Sequence, residues 1–272
     1  MRINHQDSPN PLIVESALFR TTTTLIIGSD HLLLVDPNWL PQEIEKIREQ
    51  VDRYSEDRPC YLLFTHSDYD HIIGYGRFAD FTVIASQAFV DQPKREDILQ
   101  EIRDFDDQYY IKRKYPIQYP SVDVAVGEAV RFLQLGREEY AVYQAPGHND
   151  DSIIVHNRSR GILIAGDYLS NVEFPYVYDS VEHYRNTLRI FEKLLVEEDI
   201  RLLIPGHGDP TENQAEMRKR LADARRYLDD LERSVRANRP FDLTTLFREY
   251  QFPKVMRAFH EANREKMVEY LL

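Results

Sequence analysis

The chain is predicted to be an α/β protein built on two sheets with helices outside. Three observations carry that expectation. Two series of short apolar runs have strand length and end in turn residues. Helical seams follow each series. The 272 residues are 42% hydrophobic and 11% aromatic, enough to fill the core of one large domain or two small ones.

The first series covers residues 12–19, 21–27 and 32–35, with Gly28-Ser29-Asp30 as a tight turn before the third run. Asp36-Pro37-Asn38 stops that run. Pro41 then starts a helix with Ile44, Ile47 and Val51 on one face. Tyr61-Leu62-Leu63-Phe64 is apolar throughout, the pattern of a strand covered on both sides, and Val83-Ile84-Ala85 repeats it. Residues 87–120 change character. Helical spacing is expected over 94–114, and Tyr109-Tyr110-Ile111-Lys112-Arg113-Lys114-Tyr115 is aromatic and basic, so the segment reads as a helical insertion or lid. The second series covers 122–126, 130–135, 140–144, 152–156 and 161–165, then a helix over 180–197 and the apolar strand Leu202-Leu203-Ile204. Beyond Thr211 the chain turns helical, with Met217, Leu221, Ala224, Leu228, Leu231 and Val235 in one seam. The expected organisation is a catalytic domain over 1–210 and a helical extension over 211–272 packed on it.

Composition narrows the function classes. Asp and Glu outnumber Lys and Arg 46 to 34, a formal net charge of −12. A nucleic-acid binder needs a basic footprint, so nucleic acid is not an expected partner. The lone Cys60 excludes an internal disulfide framework and a Cys-rich zinc site. No apolar run approaches the length of a membrane span, and the N-terminal residues carry no signal-type apolar stretch. Cytoplasmic residence and a small-molecule substrate are the expectations, with a homo-oligomer left open.

Four segments carry chemistry, each placing polar residues just after an apolar strand. The first, Thr65-His66-Ser67-Asp68-Tyr69-Asp70-His71, brings two imidazoles and two carboxylates together, a dense set of metal donors. The others are Pro146-Gly147-His148, Gly166-Asp167 and Pro205-Gly206-His207-Gly208. Strand ends fix the backbone while side chains converge on one rim, and glycine permits tight turns there. Asp167 follows a wholly apolar strand, where a buried carboxylate needs a partner, and a cation is the simplest one. Singly, such pairs are common at turns. Four in this order make a joint signal for a metal site.

The segments resemble the metallo-β-lactamase-fold superfamily, whose hallmark is His-x-His-x-Asp-His followed by separate His, Asp and His ligands. Gly166-Asp167-Tyr168-Leu169 and Ile204-Pro205-Gly206-His207-Gly208 strengthen the likeness, which runs over about residues 12–208. It implies an αβ/βα four-layer sandwich with two metals at one sheet edge. It also implies His66, Asp68 and His148 at the first metal, Asp70, His71 and His207 at the second, and Asp167 bridging. Asp68 stands where the family usually has its second histidine. A carboxylate there hardens the first site, shifting preference toward iron or manganese while remaining compatible with zinc. Flavodiiron proteins of the same superfamily carry a glutamate at that position.

The expected activity is hydrolysis by a binuclear metal centre, with two divalent ions, zinc first and iron or manganese next. A hydroxide shared by two such ions attacks an ester, thioester, lactone or phosphodiester, and Asp70 orients the nucleophile or relays its proton. Two other classes stay open: an iron-dependent oxidoreductase, and a non-catalytic metal-binding signalling module. Tyr109, Tyr110 and Tyr115 with Lys112, Arg113 and Lys114 are read as an entrance for an anionic, partly apolar molecule. Phe174, Pro175, Tyr176 and Tyr178 are read as a second wall, and His260 as a helix-borne substrate contact. His5, His31, His156 and His183 lie outside the motif positions and are assigned surface or core roles, and Trp39 is assigned to packing.

Overall fold

The computed structural model describes residues 1–3, 10–250 and 252–272; His5 lies outside them. The chain forms two compact units, Met1–Gln144 and Ala145–Leu272.

In the first unit, seven strands form one sheet in sequential order: β1 (Arg2–Ile3), β2 (Leu12–Glu15), β3 (Thr22–Ile27), β4 (Leu32–Val35), β5 (Cys60–Leu63), β6 (Thr82–Ser86) and β7 (Val124–Val126). Neighbours are antiparallel through β4 and parallel from β4 to β7. The parallel half explains the apolar runs, since all four residues of β4 and the last two of β5 are buried. α1 (Pro41–Ser55) connects β4 to β5 and buries Ile44, Ile47 and Val51, the face expected from its spacing. Its buried Glu43 accepts hydrogen bonds from Ser16 Oγ at 2.8 Å, Ala17 N at 3.0 Å and Leu40 N at 3.1 Å, which satisfies a carboxylate that would otherwise be expensive to bury. β8 (Val130–Leu135) and β9 (Glu138–Gln144) close the unit as an antiparallel hairpin.

The insertion departs from its expected bounds. A short helix, α2 (Tyr69–Ile72), lies in the donor loop between β5 and β6; after β6 come the short α3 (Gln87–Asp91) and then α4 (Arg95–Gln108). The helix expected to reach residue 114 stops at Gln108, because Tyr110 adopts φ 55° and Arg113 turns inward. Arg113 makes a two-pronged contact with Asp106 at 2.8 and 2.9 Å and donates to Trp39 O and Tyr115 Oη. That buried pair pins residues 109–115 against α4.

In the second unit, β10 (Ile153–Asn157) and β11 (Ile162–Ile164) are antiparallel, and β12 (Leu202–Ile204) runs parallel to β11. α5 (Val181–Glu197) supplies the crossover. The helical end is α6 (Gln214–Arg236), α7 (Leu243–Glu249) and α8 (Pro253–Leu271), and the expected seam of α6 is buried from Met217 to Leu231. Asn263 of α8 ties the helix to the loop before α5: its side chain donates to Pro175 O at 2.5 Å and accepts from Val177 N at 2.8 Å. Among the described residues, no helix is long and apolar enough to cross a membrane.

Removing Asp106 leaves Arg113 charged and buried without its carboxylate. Asp106→Ala is expected to lower unfolding stability by about 3 kcal/mol, read from urea denaturation midpoints. An unchanged midpoint contradicts the pinning role given to this pair.

Candidate metal centre

Within the first unit, the donor loop leaves β5 through Phe64 and enters α2. Asp36, at the end of β4, organises it. Its carboxylate accepts from Thr65 N at 2.9 Å and Thr65 Oγ1 at 2.6 Å, and it meets His71 Nδ1 at 3.0 Å. The carboxylate can only accept, so His71 carries its proton on Nδ1 and presents Nε2 as the acceptor nitrogen. The same logic reaches His66. Thr65 Oγ1 donates to Asp36, hence accepts from His66 Nδ1 at 2.9 Å, and His66 also presents Nε2. The two buried rings lie 4.1 Å apart between centroids.

Each Nε2 is turned toward a carboxylate. His66 Nε2 stands 3.6 Å from Asp68 Oδ2, and His71 Nε2 stands 3.7 Å from Asp70 Oδ2. Two ligands on one tetrahedral ion, bonded at about 2.0–2.1 Å, sit roughly 3.4 Å apart. The spacing fits ligands that share an ion better than it fits hydrogen bonds. Negative charge accumulates here: burial together with Asp68 and Asp70 pushes the Glu101 carboxyl up, and burial with Asp70 and Glu101 pushes the Tyr69 hydroxyl well up. A cation relieves that field.

Within the second unit, three strand-end loops supply the donors. His148 follows β9's exit, and its Nδ1 donates to Tyr176 O at 2.9 Å, which again leaves Nε2 as acceptor. Tyr168 holds the loop at both ends, donating to Ala145 O at 2.7 Å and accepting from His148 N at 2.8 Å. Asp167 Oδ2 lies 3.4 Å from His148 Nε2 and 3.2 Å from His207 Nε2, so one oxygen faces two imidazoles. Glu173 stands 3.9 Å from His207 Nδ1. Gly206 is required by space: a Cβ there would fall 2.1 Å from Asp167 Oδ1. Gly147 adopts φ 131°, and a Cβ there would fall 2.4 Å from Tyr184 Cα. The His and Asp side chains of both units belong to groups able to hold a metal ion, and the donor chemistry (imidazole Nε2 and carboxylate oxygen) suits zinc, iron or manganese.

The other predicted residues are placed as follows. Tyr109 and Tyr110 are exposed, whereas Tyr115 is buried with its hydroxyl on Arg113. Phe174 is buried against Tyr227, with centroids 4.5 Å apart. His260 is buried beside Tyr227 and Phe241. These three are packing positions, because burial leaves them little surface to offer a ligand. Tyr176 stacks on Phe259 at 4.0 Å, and Tyr178 meets the His148 ring edge-on at 5.4 Å. His31 is buried on Tyr140 Oη, His156 is buried, and His183 pairs with Asp179. Trp39 is fully buried, as assigned.

Sequence reasoning missed Asp36, Thr65, Glu101 and Tyr168. Asp36 carried a usable signal, since it too follows a buried apolar strand, but Asp36-Pro37-Asn38 also reads as a strand stop.

A mixed α/β chain with two sheets whose strand ends bear these imidazoles and carboxylates has the architecture of a metal-dependent enzyme class. Residues 17–207 match the metallo-β-lactamase superfamily, and the chain belongs to it. Its fold is the metallo-β-lactamase fold with a helical C-terminal extension. The chain is 24% identical over 208 residues to the acyl-coenzyme A thioesterase MBLAC2 of Bos taurus, covering 69% of this chain and 73% of that one. It is 29% identical over 193 residues to the probable metallo-hydrolase YqjP of Bacillus subtilis, covering 64% of this chain and 58% of that one, little more than half its length. Among solved structures, the metallo-β-lactamase family protein TTHA1429 of Thermus thermophilus superposes with a TM-score of 0.63 at 19% identity, over 99% of this chain and 91% of that one.

Partners that orient metal-binding histidines commonly tune affinity by 10–100-fold. Asp36→Asn is therefore expected to weaken metal retention by about that factor in competition with a chelator, although Asp36 is not itself a donor. Unaltered retention shows that the carboxylate does not set the His71 ring.

Proposed function

We propose that the protein is a binuclear metal-dependent hydrolase acting on an acyl thioester first, with ester, lactone and phosphodiester as the remaining candidates. Family membership and hydrolase-named relatives make it a hydrolase. The thioester is put first because MBLAC2 is an acyl-coenzyme A thioesterase. The observation that carries the two-metal reading is Asp167 Oδ2, which faces His148 Nε2 and His207 Nε2 at ligand-sharing distances. In this reading His66, Asp68, Asp70, His71, His148, Asp167 and His207 would hold two divalent ions.

Two divalent ions, zinc first, supply an acidified water and positive charge for the oxyanion that forms. The chain's own residues do the rest. Asp70 orients the attacking water and accepts its proton at a carboxylate oxygen; as the water oxygen bonds to the acyl carbon the C–S bond breaks, and the proton passes to the departing thiolate. Asp36, Thr65 and the Tyr176 carbonyl keep three imidazoles from rotating, so that no reorganisation is needed during turnover. Tyr178, beside His148 and 46% exposed, forms a wall where substrate rests. A cytoplasmic location belongs to the same proposal and rests on the single cysteine. Asp68 supports a second reading, iron-dependent redox chemistry, because a carboxylate in place of imidazole favours a harder ion.

Chelation is expected to abolish thioester hydrolysis, and added zinc or manganese to restore it. His207→Ala should lose metal and turnover together, by at least about a hundredfold in kcat/KM, the scale of a catalytic metal's contribution. Full activity in His207→Ala contradicts the two-metal assignment.

A further inference from the structure

We propose that an apolar pocket of the first unit holds the hydrocarbon chain of the substrate, which makes the enzyme selective for acyl groups of medium length. This deepens the hydrolytic reading and rests on it. The cavity has a volume of about 500 Å³ and is walled by Leu18, Phe19, Leu40, Phe105, Tyr109 and Ile111. That volume lies in the range of small-molecule pockets and is too small for a protein face. Lys112 is the one charged residue in the lining, which suits an uncharged chain.

Two further observations set this pocket apart from ordinary surface. The first is exposed aromatic area. Phe19, Tyr109 and Tyr110 are 43%, 56% and 93% exposed, and they gather on this one cavity. A cluster of large apolar groups left in water marks a binding surface. The second is backbone strain at the rim. Phe19, Arg20 and Tyr110 adopt φ values of 50°, 53° and 55°, a region that bulky side chains rarely occupy. Strain of this kind persists where surrounding structure enforces it, and ligand clamps are one such place. Here the enforcement is visible: the buried Arg113–Asp106 pair fixes the 109–115 wall, so the pocket is formed before a ligand arrives.

The walls of the pocket pack toward the donor loop. Trp39, fully buried, lies behind the lining, stacking on Phe105 at 4.5 Å and on Phe19 at 6.2 Å. The ring of Trp39 meets Tyr69 edge-on at 5.4 Å, and Tyr69 stands in the chain between Asp68 and Asp70. A packed aromatic cluster thus connects the cavity wall to the donor loop within one unit, and the carbonyl end of a chain held in the cavity is assigned to that side.

Trp39 is the only tryptophan, so its fluorescence reports on the pocket without requiring turnover. The full-length protein, both metal-loaded and chelated, is titrated with octanoate and with acetate. Octanoate is expected to give a saturable change and acetate none. Tyr109→Ala, which trims an exposed ring, should weaken octanoate binding about fivefold, and Ile111→Phe, which narrows the cavity, should lower kcat/KM for an octanoyl thioester about tenfold while leaving the acetyl thioester within about twofold, since roughly two methylenes lose their burial. A Trp39 signal silent to octanoate, with equal kcat/KM for the two thioesters in wild type and Ile111→Phe, overturns the pocket and leaves hydrolysis standing. An octanoate response in a protein that cleaves neither thioester supports the pocket as a chain-binding site and overturns the thioester assignment instead.

Discussion

The direction in which imidazoles point governs this protein. Three of the four candidate histidines have Nδ1 committed to an oxygen: His66 to Thr65, His71 to Asp36 and His148 to the Tyr176 carbonyl. Each commitment forces Nε2 outward as the nitrogen that can bind a cation. The carboxylates opposite stand too far for good hydrogen bonds and at the separation of ligands on a common ion. Sheet, loops and helical end serve to hold those rings.

The supporting structure reaches well beyond the donors. Asp36 sits at the end of β4 and reaches both histidines of the first unit, one directly and one through Thr65. In the second unit, Asn263 of the last helix binds the backbone on both sides of Tyr176, whose carbonyl sets His148. The C-terminal helices thereby acquire a role in the site without supplying a donor. Tyr168 adds a second tie to the same loop through its buried hydroxyl. Support of this kind keeps a site from loosening by the fraction of an ångström that costs activity.

Much of this was legible in the sequence because polar residues after buried strands are hard to explain otherwise. The strands, the faces of α1 and α6, and four donor-bearing segments could be read from apolar runs and the residues that end them, while the assignment of individual ligands came from the family resemblance. Asp36 was not, because an aspartate before proline is also a chain stop and its reach to His71 crosses 35 positions. The aromatic and basic run near Tyr109 misled in part. Composition cannot tell that Arg113 turns inward on Asp106 and Tyr115 while Tyr109 and Tyr110 stay in water. Phe174 and His260 misled for a similar reason: aromatic residues near a predicted loop look like a substrate wall until helices from distant sequence cover them.

The central claim is that the oriented imidazoles and the carboxylates beside them hold two ions. Its most direct test is the metal content of the full-length protein, purified without added metal and counted by inductively coupled plasma mass spectrometry against protein concentration. The account predicts about two divalent ions per chain, since a shared carboxylate and six further donors complete two sites. A metal content near zero that reconstitution with zinc, manganese or iron fails to raise contradicts it.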